Sequence, residues 1–360
     1  MTKQANPDDE IDALKAKILF KIDLLKRRGA LCGEINTQFA NIGFDNSNTF
    51  KSLSSKIKNL ESGDVKKQLT QAHQVVDKQL NDHIQFNNKR AYFYSLPQKN
   101  LDQLFKLLQQ PNDFFVLGEN KTIFNYEELN HDLTETSLVV EDSDFKIIYL
   151  KSARNRRDNI RIQDEIPKID SVENEEIIDL IKVVQYSMNA YDFIAFDFKN
   201  EHLIIGADLN GVFPRQESEK AIDKIQIAIR KLGRLSDLQK NNLRNCVENL
   251  EKEDGGDVLD HAFITADGGY NHAGKSLTSG QDVRKDNFHS DGIKGKEADY
   301  YGIVKAYSLQ DEEKVIIKIK MTFRDYKKVN VPIRFAVLDG IKTFDGLKFS
   351  VRKVIQHNHN

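Results

Sequence analysis

A chain of 360 residues has room for two or three domains at roughly 150 residues each. With 39% hydrophobic and 30% charged residues it can form a core under a very polar surface, and it lacks any apolar run of the roughly 20 residues a membrane-spanning helix needs. The net charge of −2 conceals a gradient: residues 1–95 carry 15 Lys/Arg against 11 Asp/Glu, residues 300–360 carry 12 against 6, and the stretch between carries 26 against 38.

The opening MTKQANPDDEID has neither the basic start nor the apolar stretch of a secretory signal. Cys32 and Cys246 are the only cysteines and fit no CxxC spacing, which excludes a disulfide framework and predicts a cytoplasmic protein. Ile11, Leu14, Ile18, Ile22 and Leu25 recur at three- and four-residue steps and predict a helix over 9–28, stopped by Gly29. A short helix over 34–42, a turn at 43–46 and a helix carrying Phe50, Leu53, Ile57 and Leu60 follow. Val65, Leu69, Ala72, Val76, Leu80 and Ile84 then describe a long helix, with Pro97 beyond its end.

From Pro111 the period changes. A helix over 101–109 precedes strand-like runs at 114–117, 137–140 and 145–150, and the spacing predicts a helix over 175–184. Runs 193–198 and 202–207 read as a hairpin. Pro214 opens a helix, and another is predicted over 235–252, ending at Gly255-Gly256. Beyond a glycine-rich, charged segment at 266–302, strands are expected at 302–308, 314–323, 329–338 and 347–354. The fold class is therefore α+β. It comprises an N-terminal helical block (1–95), a mixed α/β middle domain (96–260), a glycine-rich polar loop (261–299) and a C-terminal antiparallel sheet (300–360).

Four constellations bear on function. Gly269-Tyr-Asn-His-Ala-Gly274-Lys275-Ser276 fits the phosphate-loop pattern, with Lys275 on the phosphates of a Mg-nucleotide and Ser276 on the ion. The downstream residues lack the apolar periodicity of the helix such a loop should open. The helices around 34–42 and 47–60 have the order of a helix-turn-helix, with Ser47, Asn48, Lys51, Ser55 and Lys58 facing outward for phosphates and base edges. Their alternative is a plain or dimerising helical bundle. Residues 151–161 hold five basic residues in eleven positions, among them Arg154, Arg156, Arg157 and Arg161, and read as a phosphate-binding loop or as partners of nearby acids. Asp144-Phe-Lys146 and Asp197-Phe-Lys199 each resemble the acid-x-lysine end of a metal-dependent nuclease site, without a well-spaced acidic partner.

These features predict a non-catalytic nucleic-acid-binding protein of the bacterial cytosol, homo-oligomeric through its N-terminal helices, with double-stranded DNA as partner. Lys51, Lys58, Arg154, Arg156, Arg157 and Arg161 would contact phosphates, with no metal and no cofactor. The alternatives are a phosphate-loop nucleotide-binding protein using Gly269, Gly274, Lys275 and Ser276, a protein-protein scaffold, and a metal-dependent nuclease. A phage-defence or mobile-element setting has no residue behind it beyond the lack of housekeeping motifs.

Overall fold

The computed structural model describes residues 7–61, 64–117, 135–161, 181–209, 213, 215–266, 270–274, 282–293, 295–310, 313–328 and 331–358. Helices α1 (Pro7–Arg27), α2 (Cys32–Ala40), α3 (Phe50–Lys58) and α4 (Val65–Phe86) form the N-terminal block. The apolar stripes place Ile18, Ile22 and Leu25 of α1 and Leu69, Ala72, Val76, Leu80 and Ile84 of α4 fully inside. Gly29, at φ 79°, ends α1 in the left-handed conformation while the Ala30 N–H bonds the Leu25 carbonyl. Thr49 caps α3 by accepting from the Ser52 N–H, and Asp64 caps α4 by accepting from that of Lys67.

The α2–α3 connection departs from the expected short turn. It occupies residues 41–49, Ser47 is buried within it, and the Ser47 N–H bonds Asn36 Oδ1 at 2.6 Å. Helix α3 lies chiefly against α1, and α2 against α4. A helix-turn-helix pair needs a turn of three or four residues, so the resemblance ends at helix order.

One sheet runs through the rest of the chain. Its strands are β1 (Lys89–Ser95), β2 (Val116–Leu117), β3 (Glu135–Glu141), β4 (Phe145–Arg161), β5 (Ile181–Asp197), β6 (His202–Asp208), β7 (Asp257–Thr265), β8 (Tyr270–Gly274), β9 (Ala298–Ser308), β10 (Lys314–Lys320) and β11 (Ala336–Asp339). They lie in the order β2-β3-β4-β5-β6-β1-β11-β10-β9-β7-β8. Every pairing is antiparallel except β2 with β3. The fold is α+β.

Strand β1 follows α4 directly and joins the middle strands to the C-terminal ones. Its residues alternate between two cores: Ala91 and Phe93 face the helical block, whereas Tyr92 and Tyr94 face α5 (Gln98–Leu108) and α6 (Arg215–Gly233). The first core also takes in α7 (Arg244–Lys252) and α10 (Phe344–His357). Among the β6 residues Gly206 cannot be replaced without movement, because an added Cβ would lie 2.1 Å from the Phe193 ring.

Several expected elements differ: of the described residues in the strand expected over 329–338 only 336–338 are strand, in β11, and the loop expected over 261–299 holds the end of β7, all of β8 and a short helix at 287–293. Residues 181–184, expected at the end of a helix, belong to β5; residues 175–180 lie outside the described residues. The helix expected over 235–252 begins only at Arg244, because the Asn241 N–H bonds Phe93 O and the Leu243 N–H bonds Ile333 O, holding 241–243 out of a helix. The strand expected over 347–354 is helix α10. Thr343 caps it by accepting from the Gly346 N–H, and Leu347, Val351, Val354 and Ile355 fall on its buried face. Short helices α8 (Asn287–Ile293) and α9 (Phe323–Tyr326) complete the set. Among the described residues no helix is long and apolar enough to cross a membrane.

Candidate nucleic-acid interface

Residues 151–161 are not a loop but the second half of β4. That strand pairs with β5 without a break from Phe145↔Asp197 to Arg161↔Ile181. Its other neighbour, β3, reaches only to Lys151, and β6 pairs with β5 only over Phe193–Asp197. Among the described residues no third strand joins 154–161 or 181–188. They form a two-stranded ribbon of eight residues a side, about 26 Å long at about 3.3 Å per residue, running on past the pairings with β3 and β6.

The ribbon stands on a buried charge network. Arg154, 5% exposed, pairs with Asp192 and donates to the Asp208 carbonyl at 3.1 Å. Asp192 accepts from the Asp208 N–H at 2.8 Å, and Asp208 accepts from the Tyr191 N–H at 2.9 Å. Arg28, at the end of α1, donates to Asp208 at 2.6 Å and to the Asn189 carbonyl at 2.9 Å. Lys89 lies 3.3 Å from Asp208 and donates to the carbonyls of Ile84 and Tyr191. Three cations and two carboxylates thus tie helix α1, strand β1 and the ribbon base together.

Electrostatics matches this geometry. Burial pushes Lys89 down to about 8 against the pull of Asp208, and burial with the nearby Arg28 pushes His83 down to about 4. Neutral His83 donates from Nε2 to the Arg28 carbonyl and accepts at Nδ1 from Asn87, which fixes its tautomer. Burial acts to raise the Asp208 carboxyl, but Lys89 and Arg28 prevail and hold it below the usual carboxylate range. Arg154, expected on phosphates, is therefore a structural residue at the root of the ribbon.

Further out, alternation sorts the side chains. Arg156 and Tyr186 are a cross-strand pair, and Arg156 donates to the Arg27 carbonyl. The guanidiniums of Arg156 and Arg27 sit 5.6 and 5.8 Å from the Tyr186 ring. The opposite row is exposed: Asn155 and Arg157 on β4, Val183 and Gln185 on β5. There Gln185 Oε1 accepts from Arg157 Nε at 3.2 Å, and the Ser187 hydroxyl donates to Asn155 at 3.0 Å. Lys182 is exposed as well. The Arg161 backbone ends the strand, and its side chain lies outside the described residues.

Lys51 and Lys58 are exposed on α3, away from this cluster. The Lys58 carbonyl accepts from Lys15, which lies about 18 Å along α1 from Arg27 at 1.5 Å per residue. Of the phosphate-loop match, Gly269, Lys275 and Ser276 lie outside the described residues. Tyr270–Gly274 is strand β8, paired from Ile264↔Tyr270 to Asp260↔Gly274. An extended strand does not turn successive N–H groups toward one anion, as a phosphate cradle must.

The acid-x-lysine triplets do meet, through cations. Arg352 on α10 bridges Asp144 at 3.0 Å and Asp197 at 3.0 Å, and Lys348 bonds Asp142 and Asp144. Hydrogen bonding from Lys348 and Arg352 holds the Asp144 carboxyl at about 2. Both carboxylates are taken up by cations of this chain. Among the described residues no group of three or more His, Cys, Asp or Glu could hold a metal ion.

No protein-family model matches the chain, and no curated protein matches it. The first half of the partner strand β5, residues 181–188, is what sequence reasoning missed, and with it Lys182, Gln185, Tyr186 and Ser187. The available signal was alternation: IKVVQYSM reads as a polar-apolar strand once its first residues are not assigned to a helix.

Proposed function

We propose that the protein binds nucleic acid without acting on it chemically, and that the β4–β5 ribbon is the element that engages it. The observation carrying this reading is the charge of a firmly rooted ribbon. Beyond the buried Arg154, residues 155–161 and 181–188 hold four basic residues and one acidic one, net +3, in a middle region that is acidic overall. On this reading Arg156 and Lys182 contact phosphates, Arg157 lies on the exposed face between the strands' outer residues, and Arg161 continues the basic series in sequence. Arginine forks match phosphate geometry, and a rooted ribbon loses little freedom when it binds. Lys51 and Lys58 would add contacts where a longer partner runs along the helical block. Cys32 and Cys246 are both free thiols, in keeping with a cytoplasmic setting.

A labelled 30-base-pair duplex titrated at several salt concentrations tests the reading. Affinity should fall linearly with salt on a log–log plot, with a slope of about −0.9 per phosphate contacted. Absence of binding at 50 mM salt rejects it. One further observation favours self-association at the same arm: Ile181 and Val183 are 53% and 61% exposed beside a strand edge that no third strand pairs with among the described residues. Val183→Lys should then lower the mass seen by sedimentation, and an unchanged mass rejects that role.

A further inference from the structure

The ribbon has two faces of different chemistry, and the difference identifies its partner more narrowly. Strand pleating puts directly opposed residues on one face. The face bearing Arg156 and Tyr186 is drawn back toward Arg27 at the end of α1, and its residues from Val184 to Met188 are half-buried or buried. The other face carries Asn155, Arg157 and Gln185, all exposed, with half-buried Ser187 beside them.

Arginine, asparagine and glutamine are the residue types that pair with base edges: arginine with the two acceptors of guanine, asparagine or glutamine with the acceptor and donor of adenine. Their arrangement here is set in advance. Gln185 accepts from Arg157 Nε and so limits the positions the exposed guanidinium can take, while Ser187 steadies the Asn155 amide.

Dimensions select the groove. The major groove of B-form DNA, about 12 Å wide, admits a two-stranded β-ribbon, whereas its minor groove is about 6 Å wide. The major groove of A-form RNA is deep and narrow, and side chains do not read it. We propose that this protein reads B-form duplex DNA by laying the Asn155–Arg157–Gln185 face of the ribbon in the major groove, with Arg157 on a guanine. Gln185 is then a positioning residue for Arg157. The proposal rests on the nucleic-acid reading above and adds groove, base preference and a choice between DNA and RNA.

The test uses the full chain. A random duplex library is selected at 150 mM salt, and the enriched site is remade with 7-deazaguanine, which lacks the N7 acceptor, and as double-stranded RNA. The account expects an enriched site containing guanine, about a tenfold loss on N7 removal at the critical base, and a larger loss for RNA. Arg157→Ala should flatten the base preference while salt-dependent binding persists. Arg156→Ala should weaken all sequences alike. Failure of the library to enrich, equal affinity for the 7-deaza site, or equal affinity for RNA overturns the proposal while leaving nucleic-acid binding in place. Absence of any binding at low salt overturns both. Arg157 is exposed, and an unchanged circular dichroism spectrum separates lost reading from lost folding.

Discussion

The root and the arm of the β4–β5 ribbon use the same residue types for opposite ends. At the root, Arg154, Arg28 and Lys89 are buried and paired with Asp192, Asp208 and backbone carbonyls. A few residues further out, Arg157 and Lys182 stand in solvent. Buried charge is costly unless paired and hydrogen-bonded, whereas exposed charge is nearly neutral for stability and available to a ligand. Changes at the root should therefore appear as stability, and changes on the arm as binding.

The largest effect is expected at Asp208. Asp208→Ala leaves Arg28 and Lys89 inside without their carboxylate, a change worth about 3–5 kcal/mol. Urea denaturation should show a midpoint well below wild type. A variant as stable as wild type would mean that the network contributes nothing to holding the ribbon.

Acidification should act on the same root. His83 is neutral in the folded chain down to about pH 4, whereas in the unfolded chain it takes a proton near pH 6.5. The unfolded state binds the extra proton between those values, so this contribution is complete above about pH 6.5 and is lost as pH falls toward 4. The loss amounts to about 2–3 kcal/mol by pH 4.5. His83→Gln keeps a donor for the Arg28 carbonyl and should reduce the difference in stability between pH 7 and pH 4.5. The carboxylate of Asp208 is still lost on further acidification in both proteins. Identical pH profiles for the two would remove His83 as the cause.

On the arm, Arg157→Glu and Lys182→Glu should each shift stability by less than about 0.5 kcal/mol, as surface changes do. Each should weaken duplex binding severalfold at low salt and less at high salt. The smallest effect concerns the residues joining the strands. Residues 162–180 carry seven acids and one lysine, and replacing the acids by amides should raise affinity for DNA modestly at 50 mM salt and not at 500 mM. An unchanged affinity at low salt would show that these charges do not act on the arm.

Much of the helical block was legible because α1 and α4 carry their 3.6-residue stripes within single uninterrupted segments. The ribbon was not, because its two strands are separated by 19 residues and an arginine-rich strand half has no apolar alternation to display. The basic cluster at 151–161 was visible as charge, but charge alone could not separate buried Arg154 from exposed Arg157. That distinction comes from the pairing register, which sets alternate residues on opposite faces. Strand β1 was hidden for another reason. Buried on both faces, KRAYFYS has neither period, and its lysine is paired through contacts far away in sequence. The misread C-terminal helix shows the same limit, since Leu347–Val354 suits a strand by composition until the Thr343 cap is seen.

The comparison between root and arm is decided most directly by the salt dependence of duplex binding for wild type and for the triple variant Arg156→Ala, Arg157→Ala, Lys182→Ala. Wild type should bind with a steep slope, and the variant, folded as judged by circular dichroism, should lose about two units of it, one each for Arg156 and Lys182. A variant with wild-type affinity and slope would contradict the account.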